Sequence, residues 1–102
     1  TPLHWAAQRG HVGAVHTLLV MRASVGARNG WQSSALHMAA KAGHVQAAEA
    51  LIARGADVEA RDNTAQTPLH FAARAGHAEV AERLVAEGGS CEAQDRQRRT
   101  PL

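Results

Sequence analysis

Apolar residues along this chain recur at helical spacing in short blocks, and polar stretches that contain glycine separate the blocks. In the segments 12–19 and 45–52, the apolar positions lie one, three or four residues apart. This spacing is typical of an amphipathic helix. Polar, turn-rich stretches such as 56–66 instead predict loops. The pattern therefore predicts pairs of short helices, each pair followed by a long loop.

The pattern repeats every 33 residues without insertion or deletion. The opening Thr-Pro-Leu-His-Trp-Ala-Ala of residues 1–7 returns in similar form at 34–40 and 67–73. Two helices cannot bury their apolar faces alone, whereas stacked units can, so the repeat predicts a solenoid. We predict a single domain over residues 1–102, with the loop that precedes repeat one absent from the sequence. Its parts are repeat one at 1–33, repeat two at 34–66, repeat three at 67–99 and the start of a fourth repeat at 100–102.

Local signals predict where the helices begin and end. A side-chain oxygen at Thr1, Ser34 or Thr67 can accept a hydrogen bond from a free N–H of the first turn. Proline at the next position loses no helical hydrogen bond. The first helices are predicted to end at glycines such as Gly10, where a left-handed residue is usual. The second helices are predicted to end at Gly55 and Gly88.

A 33-residue unit that carries Thr-Pro-Leu-His-x-Ala resembles the ankyrin repeat. The resemblance includes the Gly-His that follows each first helix and the Gly-Ala-Asp-Val at 55–58, and it extends over the whole chain. It implies an all-α solenoid whose loops project as β-hairpin fingers and which serves as a recognition scaffold.

The chain departs from the family pattern in two places. The family usually has glycine two residues before the threonine of the motif, where this chain has Gln32, Ala65 and Arg98. We therefore expect hairpin tips that are less regular than usual. In repeat one, Arg22 occupies the position of the glycine that ends the second helix, so that helix end and its loop are expected to differ.

Composition and charge exclude several classes of function. The net charge of +2 is too small for a dedicated nucleic-acid binder, so nucleic acid is a disfavoured partner. No apolar run approaches the roughly 18 residues that a membrane span needs, and we expect no membrane partner. The single cysteine, Cys91, aligns with Val25 and Val58 and is expected to be a small buried residue. One cysteine also fits a reducing compartment, so we expect an intracellular protein, cytoplasmic or nuclear.

The seven histidines invite a metal hypothesis, but six of them belong to the repeat. His4 and His11, the pair in repeat one, are separated by the helix-ending Gly10 and are accompanied by no recurring acidic residue or cysteine. Zinc sites on helices need ligands that converge. We therefore predict structural histidines that bond to neighbouring loops, no metal and no cofactor. No catalytic motif occurs, so we predict a non-catalytic chain without a small-molecule substrate.

Positions that differ between the repeats indicate where a partner would bind. By the resemblance, residues after the paired alanines line the inner face, where Arg9, Lys41 and Arg74 would form a basic row. The loops would contribute finger tips, and Trp31 is prominent because tryptophan often dominates interface energy. Alternatively, Trp31 folds back on its own hairpin or packs on the next repeat. The candidate partner-binding residues are Gln8, Arg9, Lys41, Arg74, Trp31, Ser33, Asn63, Thr64, Gln66, Arg96, Gln97 and Arg99.

Acidic residues such as Glu49 and Glu82 fall on the second helices, so the sequence predicts a basic inner side and an acidic outer side. This segregation favours a protein partner with an acidic or phosphorylated segment. The alternative is a solvated charged surface without a partner. The predicted function is a protein–protein interaction scaffold that uses the inner face and the finger tips. The alternative function is a targeting or spacer segment of a larger multidomain enzyme or signalling protein.

Overall fold

A computed structural model describes residues 2–20, 26–90, 94, 96, 99 and 100 of the 102-residue chain. Six helices of eight or nine residues lie in these ranges, and they alternate between the first and the second position of a repeat. The helices are α1 (Pro2–Arg9), α2 (Val12–Val20), α3 (Ala35–Ala42), α4 (Val45–Ala53), α5 (Pro68–Ala75) and α6 (Ala78–Ala86).

The first helices of repeats two and three begin at a reciprocal cap. The Ser34 hydroxyl accepts from the backbone N–H of His37, and the Nδ1 atom of His37 accepts from the backbone N–H of Ser34 at 3.1 Å. Thr67 and His70 make the same pair of bonds, and Pro68 follows at the start of the helix. The histidine thus takes the part that glutamate has in a usual capping box. The predicted caps at Ser34 and Thr67 are confirmed, and Thr1 lies outside the described residues.

The first helices end at glycines in the left-handed conformation, as predicted. Gly10, Gly43 and Gly76 have φ angles of 70°, 79° and 79°. The second helices α4 and α6 are followed by left-handed Gly55 and Gly88, with φ angles of 94° and 101°. A side chain is disfavoured at these angles, because its Cβ crowds the following carbonyl. The position of Arg22 lies outside the described residues.

The helices form two rows. Helices α1, α3 and α5 pack side by side, α2, α4 and α6 form the second row, and each repeat joins one helix of each row. Leu3, Leu36 and Leu69 occupy the same position in successive repeats, and each is at most 2% exposed. The paired alanines that follow them are buried in repeats one and two, which allows neighbouring helices to approach closely. The core is therefore a series of thin layers between repeats.

The predicted β-hairpin fingers form tight turns, and no strand occurs among the described residues. In the first turn the Asn29 N–H donates to the carbonyl of Ser33 at 3.0 Å. In the second turn the Asp62 N–H donates to the carbonyl of Gln66 at the same distance. Gln32 and Ala65 take left-handed φ angles of 60° and 61°, the conformation that a glycine would adopt there. The expectation of less regular tips is wrong for these two turns, and Arg98 lies outside the described residues.

The motif histidines join each first helix to the loop of its own repeat. The Nε2 atoms of His4, His37 and His70 lie 2.7, 2.8 and 3.0 Å from backbone carbonyls 29 residues further along the chain. In His37 and His70, Nδ1 accepts from the cap residue, so Nε2 carries the proton and donates. The predicted structural role of these histidines is confirmed. Burial lowers the pKa of His37, and its bond to the Gln66 carbonyl partly opposes that shift.

The second histidines of repeats two and three, His44 and His77, pack on the preceding repeat. A Cβ atom placed on Gly10 would lie 2.5 Å from Nδ1 of His44, and one placed on Gly43 would lie 2.6 Å from Nδ1 of His77. The imidazole rings therefore lie directly against the glycines of the preceding repeat. These glycines are needed for the close approach of repeats as well as for the left-handed turn.

A groove between the first helices and the turns

A groove of about 560 Å³ lies between the row of first helices and the row of turns. Its helix side includes Trp5 of α1, Met38 and Lys41 of α3, and Phe71 of α5. Its turn side is lined by the residues Asn29, Trp31, Ser33, Asp62, Asn63 and Thr64. The two rows thus create a concave surface to which all three repeats contribute.

Trp5, Met38 and Phe71 occupy one position of the repeat, between the motif histidine and the paired alanines. Trp5 is 54% exposed, whereas Met38 and Phe71 are partly buried against the core. Phe71 also packs edge-on against the ring of His37, with the ring centroids 5.2 Å apart. The helix side of the groove therefore contains an apolar column beside Lys41, and Met38 and Phe71 of that column pack against the core.

Trp31 is 69% exposed and lines the groove from the turn side. This exposure excludes the alternative in which Trp31 folds back and becomes buried. Asn29 holds the turn in place, since its Oδ1 atom accepts from the backbone N–H groups of Trp31 and Ser33 at 2.9 and 3.0 Å. The carbonyl of Trp31 accepts from the N–H of Asn63, which ties this turn to the next one. The backbone that carries the tryptophan is thus fixed.

Asp62 holds the second turn in place as Asn29 holds the first. Its Oδ1 atom accepts from the N–H of Thr64, the hydroxyl of Thr64 and the N–H of Gln66, each at 2.9 Å. A further link is made by Arg28, which donates to the carbonyls of Gln32 and Arg61 at 2.7 Å. The turns therefore form a layer that is hydrogen-bonded from one repeat to the next.

The cations of the predicted basic row are exposed, but they do not occupy equivalent positions. Gln8, Lys41 and Arg74 are 33 residues apart and therefore in register, whereas Arg9 is one residue further along its helix. Gln8 and Lys41 line the groove. The guanidinium carbon of Arg9 instead lies 5.4 Å from the centroid of the Trp5 ring, in a cation–π arrangement. Arg74 is exposed on α5 outside the groove lining.

The structure divides the predicted finger-tip residues into exposed and buried groups. Asn63 and Thr64 are exposed and line the groove. Ser33 and Gln66 are only 3% and 5% exposed, so the expectation that they lie at exposed tips is wrong. They are buried because their carbonyls accept the bonds from His4 and His37.

The third turn carries the remaining candidates. Arg96 and Arg99 are exposed, and the carbonyl of Arg99 accepts from His70. Gln97 and Cys91 lie outside the described residues.

Sequence reasoning missed the apolar column of Trp5, Met38 and Phe71, although the signal was present. This position varies between repeats inside an otherwise shared motif, which marks a residue that the stacking does not dictate. The turn residues Asn29 and Asp62 were also missed. Each has a short polar side chain that can accept hydrogen bonds from the backbone N–H groups two and four residues later. This is a recognisable turn signal.

Charge is distributed unevenly over the two rows. Helices α1, α3 and α5 contain no acidic residue, whereas α4 and α6 contain Glu49, Glu79 and Glu82. Glu49 pairs with Arg83 at 2.7 Å between α4 and α6, in an exposed contact that contributes little stability. In the described helices the acidic residues thus lie in the second row, although α6 also carries Arg83, and Asp62 lies on the turn side of the groove.

No described helix has the length and apolar character that crossing a bilayer requires. Within the described ranges, no group of three or more His, Cys, Asp or Glu side chains is arranged to hold a metal ion.

Paired helices with linked turns, stacked so that a groove crosses all repeats, define a helical repeat protein. The model of the ankyrin repeat family, in its form with three copies, matches residues 3–97 of the chain. This chain therefore belongs to the ankyrin repeat family. Domains of this family are generally protein–protein interaction modules and are typically non-catalytic. Among curated proteins, no sequence matches the chain.

Proposed function

We propose that this chain binds a protein partner in the groove between its first helices and its turns. The observation that carries the proposal is the exposure of Trp5 and Trp31 on one concave surface. Complete burial of a tryptophan removes roughly 150–250 Å² of surface from water, and each Å² of apolar surface removed contributes about 25 cal/mol. Covering the exposed parts of these two side chains would therefore contribute about 2–4 kcal/mol each.

Charge supports a partner segment that is acidic or phosphorylated. The first helices carry Arg9, Lys41 and Arg74 and no acidic residue. A field of one sign raises the association rate of an oppositely charged segment and rejects segments of like charge. The proposed site of action is the cytoplasm or the nucleus, since the single cysteine suits a reducing compartment.

The first test is affinity capture from a cell lysate, followed by mass spectrometry. The wild-type chain is compared with a variant in which Arg9, Lys41 and Arg74 are all changed to Glu. Arg54→Glu is the control, because Arg54 is an exposed cation that follows α4, in the row of second helices. The proposal expects partners that the wild type and the control recover and the triple variant loses.

The second comparison tests the tryptophans. Trp31→Ala should lose the same partners, whereas Val20→Ala should keep them, because Val20 is 65% exposed but lies outside the groove. Both changes remove exposed apolar surface, inside the groove for Trp31 and outside it for Val20. Equal recovery by all variants would contradict binding in the groove and favour a targeting or spacer segment.

A further inference from the structure

The groove combines apolar surface with few polar groups that remain free to bind a partner. The exposed apolar residues of its lining are Trp5 on α1 and Trp31 on the first turn, while Met38 and Phe71 are partly buried against the core. A volume of about 560 Å³ is in the range of pockets that enclose a compact ligand. It is large enough to take a bulky side chain together with the residues on either side of it.

The two charged groups in the lining are not equivalent. The Oδ1 atom of Asp62 already accepts three hydrogen bonds within its own turn, which hold the carboxylate in place. Lys41 is exposed at the end of α3 and forms no ion pair with a described residue. Its neighbours in register are Gln8 and Arg74, which add no negative charge. Asp62 is therefore fixed within its turn, whereas Lys41 is exposed and available to pair with a ligand.

The geometry also indicates an extended ligand. The groove is open to solvent and runs between two parallel rows, from Trp5 in repeat one to Phe71 in repeat three. An extended segment can follow such a groove while its alternate side chains point in and out. A bulky side chain that enters the groove would cover the exposed aromatic surface.

We propose that the groove selects an extended protein segment in which a large apolar side chain enters between Trp5 and Trp31 and a nearby carboxylate pairs with Lys41. This inference rests on the proposed function and adds the chemistry of the partner. The apolar side chain supplies the main contact, because desolvated aromatic pockets are where interface energy is concentrated. The pairing of the carboxylate with Lys41 fixes the position of the segment, and the charge of Lys41 disfavours basic segments.

The chain contains its own reporter for this interaction. Its two tryptophans, Trp5 and Trp31, both line the groove, so intrinsic tryptophan fluorescence monitors the site directly. The probes are four heptapeptides, acetylated and amidated at their ends and otherwise built from Ser. The central residue is Phe or Ala, and the residues two positions away on either side are both Glu or both Lys. This design separates the apolar contact from the charge contact.

The peptide with Phe and Glu should change the tryptophan emission saturably. Replacing Phe by Ala should weaken binding at least about tenfold, and replacing Glu by Lys should weaken it about fivefold or more. In Lys41→Gln the preference for Glu should fall to about twofold, while the preference for Phe persists. Arg54→Gln is the matched control and should retain both preferences, because Arg54 lies outside the groove.

Several results would overturn the inference. Equal binding of the Phe and Ala peptides, or tighter binding of the Lys peptides, would contradict the proposed partner chemistry. No saturable change with any peptide would also overturn it. In that case partners that depend on Trp31 in the capture experiment would still support the proposed function, with a different kind of ligand. Tighter binding of single-stranded oligo(dT), with affinity that falls steeply as salt rises, would identify a nucleic-acid groove instead.

Discussion

Two glycines with the same backbone conformation allow the contact between repeats to be measured apart from backbone strain. Gly43 and Gly76 have φ/ψ angles of 79°/24° and 79°/23°. A Cβ atom on Gly43 would lie 2.6 Å from Nδ1 of His77, whereas one on Gly76 would meet nothing within 4 Å. The substitutions Gly43→Ala and Gly76→Ala therefore share one source of destabilisation, and only the first adds a steric clash.

The expected magnitudes follow from these two contributions. A left-handed alanine costs about 1–2 kcal/mol, and the lower entropy of the unfolded alanine chain offsets about 0.4–1 kcal/mol. Gly76→Ala should therefore lower the free energy of unfolding by about 1 kcal/mol. In Gly43→Ala the imidazole of His77 must also move, and such overpacking typically costs about 1–3 kcal/mol more. The difference between the two variants is the prediction.

The assay is urea denaturation followed by far-UV circular dichroism, with a comparison of midpoints at equal slopes. The clash requires the ring of His77, so in a His77→Ala background Gly43→Ala should cost no more than Gly76→Ala does. Equal destabilisation by Gly43→Ala and Gly76→Ala would refute the reasoning, because it would mean that His77 does not pack on the preceding repeat.

Three further changes test the rest of the fold. Ala65→Gly should raise the free energy of unfolding by about 0.5–1 kcal/mol, because it relieves a left-handed alanine. The control Ala14→Gly, inside α2, should lower it by about the same amount. Loss of stability in both variants would contradict the turn geometry. Leu51→Ala should cost roughly 2–5 kcal/mol in urea denaturation because Leu51 is fully buried, and a negligible shift of the midpoint would exclude the stacking register. Burial lowers the pKa of His37 in the folded chain below its ordinary value of 6.5. The neutral His37 ring therefore contributes its full stabilisation above pH 6.5. This stabilisation is lost as the pH falls from 6.5 through the lower pKa of the folded state. An NMR titration of the His37 ring should give a midpoint below 6.5, and a higher midpoint would contradict the buried neutral imidazole.

The repeat fold could be predicted from the sequence because its signals are local and occur three times. Caps such as Ser34 and helix-ending glycines such as Gly43 act within one turn of helix, so residue type and position are sufficient. The turn conformation at Gln32 and Ala65 could not be predicted in this way. It is held by bonds within the turn, such as that of Arg28 to the Gln32 carbonyl, together with bonds between turns, such as that of Arg28 to the Arg61 carbonyl.

The candidate site was predicted less completely, for a geometric reason. Successive residues of an α-helix point about 100° apart, so a shift of one position moves a side chain to a different face. Gln8 is in register with Lys41, whereas Arg9 lies one turn after Trp5 and is positioned to cover its ring. The prediction assigned Arg9 to the basic row with Lys41 and Arg74 from its charge alone. The register, which the repeat period fixes, identifies the position that lines the groove in repeats one and two, where it holds Gln8 and Lys41.

The small residues that stack the repeats are also what leaves the groove available. Paired alanines such as Ala39 and Ala40 are fully buried and allow the first helices to pack closely, so the stack does not need bulky residues at the Trp5 position. Residues in the groove can therefore differ between repeats without loss of the core. It follows that Trp31→Ala and Lys41→Gln, which remove exposed side chains, should change the free energy of unfolding by no more than about 0.5 kcal/mol. A larger loss in either variant would mean that recognition and stability share residues, and binding defects in that variant could not then be assigned to lost contacts with a partner.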